Sequence, residues 1–340
     1  MRILVMGGTW FLGKAIVEEA LRRGWDVTAF NRGRSGAVND AETVRGDRTS
    51  PDDLKRLATH GSWDAVIDTS SSEFPPRDVL LAADALRPAA SRWVHVSTVS
   101  VYQGWPHHPL TEASPLLECP PDADGSFGHT GPDGSPTKYG FQKAGGEAAV
   151  RATFGDDAIV LRPGVILGPG EYIGRLPWWL VRAQRGGPII VPAPADQTIQ
   201  PIDVRDVAAF AVDRAAGDLS GRAFNVAHPQ GISWAAFIGS CLDVTGSTGR
   251  PVWADAETLI EHGVKEWTEL PLWRTHSGVW SVDAAHAFAA GLRCRPLVDT
   301  ITETWAWMQS GGRPVEHPRW AEHGLAPEKE AGILAAVGNA

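Results

Sequence analysis

Tyr139 and Lys143 stand four residues apart in a stretch of helical patterning, so both side chains project from one face. The chain holds three tyrosines, so a lysine at that spacing is informative. A phenol, with a reference pKa of ~10, exchanges protons poorly at neutral pH. An ammonium beside it, with an oxidised nicotinamide ring nearby, stabilises the phenolate and lowers that pKa. Thr98, where an apolar run ends, supplies a hydroxyl able to hold a substrate oxygen. The set suits hydride transfer at a carbonyl: a nicotinamide takes or gives the hydride, Tyr139 the proton, and Thr98 orients the oxygen. The bland alternative is a surface pair with a solvated lysine.

Such a set needs a scaffold, and the first 33 residues announce one. Ile3-Leu4-Val5-Met6 is an apolar run of the kind that makes a buried parallel strand. It empties into Gly7-Gly8-Thr9-Trp10-Phe11-Leu12-Gly13 and then a helical pattern carrying Ala15, Ile16, Ala20 and Leu21, closed by Gly24. Val27-Thr28-Ala29-Phe30 is a second strand, ending at Asn31-Arg32-Gly33. This is one βαβ unit. Its glycines let the chain turn tightly and the helix pack closely, aiming free helix N–H groups at a pyrophosphate. A tight turn with no ligand is the competing reading; the turn's place, after the first strand and opening a helix, speaks against it.

Further strands are expected at Thr43–Asp47, Asp64–Asp68, Arg92–Ser97, Ile159–Leu161 and Ala223–Val226, with helices at Asp52–Ala58, Pro76–Arg87, Lys138–Phe154, Leu176–Arg185, Val207–Ala216 and Pro296–Met308. The alternation predicts an α/β fold with a doubly wound parallel sheet (Rossmann), whose ligands sit beyond the carboxyl ends of its strands. Gly7, Arg32, Ser70 and Thr98 all fall at such ends. Residues 1–164 and about 201–227 are expected to form the dinucleotide-binding domain. About 165–200 and 228–310 form a smaller, interleaved C-terminal substrate lobe, and 311–340 a tail. Residues 103–137, rich in Pro, Gly, His and Asp, read as a solvated loop over the active site. His107, His108 and His129 lie there at spacings that match no standard ligand set, so no metal is expected. Trp105, Trp178 and Trp179 read as core more than as pocket lining.

The 340 residues carry a net charge of −9 with no lysine-arginine block, which argues against nucleic acid as the main partner. Cys119, Cys241 and Cys294 are far apart and odd in number, favouring a reducing compartment. No apolar run reaches ~18 residues, and the first strand begins at once. The reading is a cytoplasmic protein with a small-molecule substrate, no membrane, and a homodimer as a candidate assembly.

Four motifs in this order carry a resemblance: Gly7-Gly8-Thr9-Trp10-Phe11-Leu12-Gly13, Ser97-Thr98-Val99-Ser100-Val101-Tyr102, Tyr139-Gly140-Phe141-Gln142-Lys143 and Leu161-Arg162-Pro163-Gly164. Over about residues 1–310 the chain resembles the extended short-chain dehydrogenase/reductases, the NAD-dependent epimerase/dehydratase family. Its stretch from Trp178 to Asp206 is similar to a bacterial subgroup called simply reductases. The resemblance implies that Thr98, Tyr139 and Lys143 are the catalytic triad and that Lys143 also holds the nicotinamide ribose. It further implies that Asp47 contacts adenine and that Pro163 lies near the nicotinamide. Three departures stand out. Trp10 replaces a glycine of the phosphate turn. Thr69-Ser70-Ser71 stands where many relatives carry small apolar residues. Val99 and Ser100 replace the acid pair of sugar dehydratases, which disfavours water elimination.

In this fold an acid at the end of the second strand selects NAD. Here neutral Asn31 stands there, and a guanidinium at Arg32, with Arg34 beyond, can grip a 2′-phosphate. NADP(H) is therefore expected over NAD(H), unless these are only solvated loop charges. Three functions follow. The first is an NADP(H)-dependent oxidoreductase acting on a ketone or secondary alcohol. The second is an epimerase that retains its cofactor on a sugar-like substrate. The third is a non-enzymatic nucleotide-sensing or RNA-binding module.

Overall fold

The computed structural model describes residues 1–34, 38–132, 134–217, 222–312 and 318–338. They form two compact units. The first comprises Met1–Gly164, Val204–Ala227 and Ser281–Arg293; the second comprises Val165–Asp203, His228–Trp280 and the chain from Cys294 on.

The first unit is built on a seven-stranded parallel sheet. Its strands are β1 (Arg2–Met6), β2 (Asp26–Asn31), β3 (Glu42–Arg45), β4 (Ala65–Asp68), β5 (Trp93–Val96), β6 (Ala158–Pro163) and Ala223–Val226. In space they run Ala223–Val226, β6, β5, β4, β1, β2, β3. Strands β4, β5 and β6 are buried at every position, as a sheet covered on both faces requires. The chain order reverses between β1 and β4, which pair with Met6 opposite Asp68. That switch point is where a crevice opens in such sheets.

Helices α1 (Phe11–Arg22), α2 (Pro51–His60), α3 (Pro76–Leu86) and α4 (Lys138–Phe154) cover the sheet, with Val204–Ala216 packed on α1. Their starts are chemical. Ser50 caps α2 by accepting from the Asp53 N–H, Pro51 fits the first turn, and Asp52 and Asp53 face the positive dipole end. Thr137 caps α4 through the Gly140 N–H at 3.0 Å. Strand β3 stops at Arg45, short of the expected Asp47, because the Asp47 N–H goes to the Asp53 carboxylate instead of a ladder.

Residues 103–132 and 134–137 are irregular, as their composition dictates, yet they are not simply solvated. Leu110 and Leu117 are buried in one cluster with Val101, Tyr102, Val282 and Ala284. Single bridges join Tyr102 to Leu116 and Leu110 to Val282.

The second unit packs the helix Arg175–Gln184 against Trp234–Thr245 and Leu297–Gln309, beside a parallel pair of strands, Pro188–Pro192 with Arg250–Ala254. Trp179, Trp234 and Phe237 centre its core with tilted and edge-on rings, and Trp179 Nε1 donates to the Pro271 carbonyl at 2.8 Å. Trp178 is only partly buried against that core. The expected tail is corrected here: Pro327–Gly338 is a helix whose Ile333 is fully buried in the same core. Residues 313–317 and 339–340 of that stretch lie outside the described residues. No described helix is long and apolar enough to cross a membrane.

Candidate active site

The glycine turn follows β1 directly. Gly7 has φ +85°, which favours glycine, and a Cβ there would lie 2.8 Å from the Ser70 side chain. A Cβ on Gly13 would lie 2.1 Å from the Gly7 carbonyl oxygen. The turn therefore closes on itself and against the Thr69-Ser70 end of β4 only because both side chains are absent. Thr69 N–H and Oγ1 donate to the Met6 carbonyl, at 3.1 and 3.0 Å. Trp10, in the missing glycine's place, is the extended residue before α1, and Phe11 takes φ +25°. Thr9 is buried, Leu12 and Gly13 lie in the first turn, and no acid stands there to compete for the helix dipole. A pyrophosphate fits such a turn.

The ends of β2 and β3 continue the site. Asn31 Oδ1 accepts from the Gly33 N–H at 2.7 Å, and its Nδ2 is buried with no hydrogen-bond partner. Arg32 is exposed, with its guanidinium 5.9 Å from the Phe74 ring centre. Asp47 turns inward on its own loop: Oδ1 accepts from Thr49 N–H and Oγ1, and these bonds, with Arg32 nearby, hold its carboxyl below the usual range.

Lys143 is buried on α4. Its Nζ donates to Ser71 Oγ at 2.8 Å and to the Val96 carbonyl at 2.6 Å. Burial brings it down to about 8, against Asp68 and Glu147, which favour the charged form. Tyr139, one turn earlier, is exposed at 41%. Beside it a Cβ on Gly140 would stand 2.3 Å from the Ser100 carbonyl oxygen, so a missing side chain lets α4 press on the Thr98–Ser100 segment. Thr98 closes that segment. Its Oγ1 accepts from the Ser100 N–H at 3.2 Å and donates to Ser100 Oγ at 3.3 Å. Pro163 ends β6, buried, where Gly164 N–H donates to the Val226 carbonyl.

Gly7, Asn31, Ser70, Thr98 and Pro163 thus close or follow parallel strands at the same sheet edge, with Lys143 reaching that edge from α4. Sequence reading missed the buried polar groups behind them. Arg48 grips Asp68 with two bonds, 2.9 and 3.1 Å, and Ser70 Oγ at 2.7 Å. His95, fully buried on β5, has Nδ1 3.7 Å from Asp68, and both ring nitrogens lack hydrogen bonds. Glu147 receives Ser97 Oγ at 2.5 Å and Arg162 at 2.6 Å, and Arg162 also donates to the Tyr102 hydroxyl. The available signal was an acid closing an otherwise apolar strand, Asp68. Among the described residues no three His, Cys, Asp or Glu side chains gather as a metal site.

The sequence pattern of the NAD dependent epimerase/dehydratase family matches residues 3–227. A chloroplast stem-loop binding protein of 41 kDa from Arabidopsis thaliana is 24% identical over 262 residues, which are 72% of this chain and 63% of that protein, so the chain spans less than two thirds of this relative. Among solved structures, the Bordetella bronchiseptica enzyme WbmG in complex with NAD superposes with a TM-score of 0.68 at 22% identity, over 92% of this chain and 95% of that one. The same enzyme with NAD and UDP gives 0.67 at 22%, over 93% and 98%. UDP-glucose 4-epimerase from Thermotoga maritima, with UDP-glucose, gives 0.67 at 16%, over 92% and 99%. These likenesses show the fold.

Proposed function

Because the chain belongs to the NAD dependent epimerase/dehydratase family, we propose that it is an NADP(H)-dependent oxidoreductase that moves a hydride at a secondary alcohol or ketone of a small molecule. The observation that carries this reading is the buried Lys143 ammonium, bonded to Ser71 and Val96 at the strand ends, one helical turn from Tyr139. The bound nicotinamide supplies the hydride acceptor or donor. Gly7, Thr9, Trp10, Phe11, Leu12 and Gly13 hold its pyrophosphate with backbone N–H groups, and Thr69 and Ser70 wall the turn. Thr98 orients the substrate oxygen. Tyr139 takes or gives the proton at that oxygen, and Lys143 stabilises its phenolate while holding the nicotinamide ribose. Pro163 backs the ring.

The 2′-phosphate preference rests on neutral Asn31 with its unpartnered Nδ2 and on exposed Arg32. Asp47 nearby reduces the field at Arg32, so selectivity depends on the guanidinium reaching the phosphate directly. A charge-assisted bond contributes roughly 1.5–3 kcal/mol. Arg32→Ala is expected to cost about ten- to a hundredfold in NADPH affinity and little in NADH affinity; equal wild-type affinities remove the assignment.

A second reading is favoured by the neighbours, several of which are named as epimerases and one of which binds UDP with NAD. There, retained NAD(P) oxidises and re-reduces one carbon of a sugar-like substrate. Stoichiometry separates the two: a reductase consumes reduced cofactor mole for mole with product, whereas an epimerase shows turnover with no net change at 340 nm.

A further inference from the structure

A buried ion pair is a costly way to join two loops, because both charges leave water. Arg48 and Asp68 are 4% and 0% exposed and meet through two parallel bonds. What Asp68 begins is the stretch Asp68-Thr69-Ser70-Ser71. It accepts from Ser70 N–H and Oγ, each at 3.0 Å, and Arg48 adds a third hold on Ser70. Ser70 lies against Gly7 of the phosphate turn, and Ser71 Oγ receives Lys143 Nζ. One short turn therefore touches the cofactor end and the lysine, and Arg48 locks it.

Lys143 also needs its charge kept in a dry site. Both acceptors of its Nζ, Ser71 Oγ and the Val96 carbonyl, are uncharged. The ionic groups around it are Asp68 at the end of β4, Arg48 behind Asp68, Glu147 on its own helix and neutral His95 on β5. Arg162 on β6 occupies Glu147, and Tyr139 precedes it on α4. Facing α4 from α3, Pro76 and Val79 lie against Gly145 and Gly146 and bring no charge.

We propose that the Arg48–Asp68 pair is the positioning device for Lys143: Arg48 anchors the Asp68–Ser71 turn, and the two opposed charges together set how firmly Lys143 holds its proton. This rests on the reading of Lys143 as partner of Tyr139 and the cofactor. Neither residue touches the reacting atoms. The two variants then act in opposite senses. Removing Asp68's charge leaves Arg48 as a bare cation facing Lys143, so the ammonium loses its proton more easily. Removing Arg48 leaves Asp68 to Lys143, so the proton is held more tightly.

The test is a pH titration of the full chain labelled with [13Cε]lysine, with the Lys143 resonance assigned by Lys143→Arg. Asp68→Asn is expected to move its midpoint down by about one pH unit and Arg48→Met to move it up by a similar amount, with Arg48→Lys returning it toward the wild-type value. Either variant alone decides the matter if the other does not fold, and Arg48→Gln replaces Arg48→Met if that protein is unfolded. An unmoved midpoint in a folded variant, or shifts in the same direction, overturns the proposal. The alkaline limb of turnover is then measured on the same proteins. Lysine midpoints that move as expected while the turnover limb stays fixed uphold the charge device and instead remove Lys143 from the catalytic reading.

Discussion

At the scale of single residues, Tyr139 and Lys143 were legible because a helix repeats every 3.6 residues, and four-residue spacing survives in any linear reading. Tyr139→Phe keeps the ring and loses the proton, so turnover should fall about 10²–10⁴-fold with cofactor affinity nearly unchanged. Steady-state rates beside a fluorescence titration check it, and wild-type turnover removes Tyr139 from the mechanism. Asp68 left a signal as an acid closing an apolar strand, but its grouping with Arg48, His95 and Glu147 was not legible, because they come from separate strand and helix segments that meet only through the sheet order. His95 carries a consequence for stability. Burial and the neighbouring Lys143 push it down to about 3, from an ordinary value of 6.5. Between those values the unfolded chain binds a proton that the folded chain refuses, so stability is full above 6.5 and is lost as pH falls toward 3, by up to ~1.4 kcal/mol per unit. Asp68, held at about 2 chiefly by Arg48 against its burial, adds a second loss only below its ordinary 3.8. Urea unfolding at pH 4.5 to 6.5 should show this slope in the wild type and a flatter one in His95→Leu. Equal slopes assign the acid sensitivity elsewhere.

At the scale of elements, the strands and helices around the site were readable within a few residues, since apolar runs, Ser and Thr caps and terminal glycines act locally. Helix α4 spans Lys138–Phe154, as its pattern and the Thr137 cap require. What escaped was the C-terminal helix. Pro327–Gly338 follows a stretch without periodic apolar residues, and its one fully buried side chain, Ile333, matters only because the core beneath it belongs to distant segments. Glu330 on that helix meets Arg182 at 2.8 Å, and Arg182 also donates to the Gly186 and Pro188 carbonyls. Arg182 therefore keeps partners if Glu330 is lost, and the apolar contact should dominate. Ile333→Ala is expected to cost about 2–4 kcal/mol and Glu330→Gln less than half of that. Chemical denaturation of both variants checks the order. An Ile333→Ala protein as stable as the wild type means that the helix is not part of the folded core.

At the scale of the whole molecule, the question is which phosphate-bearing ligand an acidic chain can hold. One relative is named for binding stem-loops. Forty acids against 31 lysines and arginines leave a net −9. An RNA helix is held by releasing counterions from many phosphates at once, which demands clustered cations facing one strand. Here many cations are already spent within the fold: Arg48 on Asp68, Arg162 on Glu147, Arg182 on Glu330 and Arg23 on Glu19 and Asp213. A dinucleotide needs only the N–H groups of the glycine turn and a few polar side chains at the switch point of the sheet. NADPH at a hundred times its dissociation constant should therefore stabilise the protein by about 2.7 kcal/mol, read as a rise in melting temperature. A stem-loop RNA at 0.15 M salt should leave the melting temperature unchanged and show no saturable shift in fluorescence anisotropy. Submicromolar RNA binding that weakens steeply with salt, beside no response to NADPH or NADH, reverses the assignment and makes the fold a nucleic-acid module.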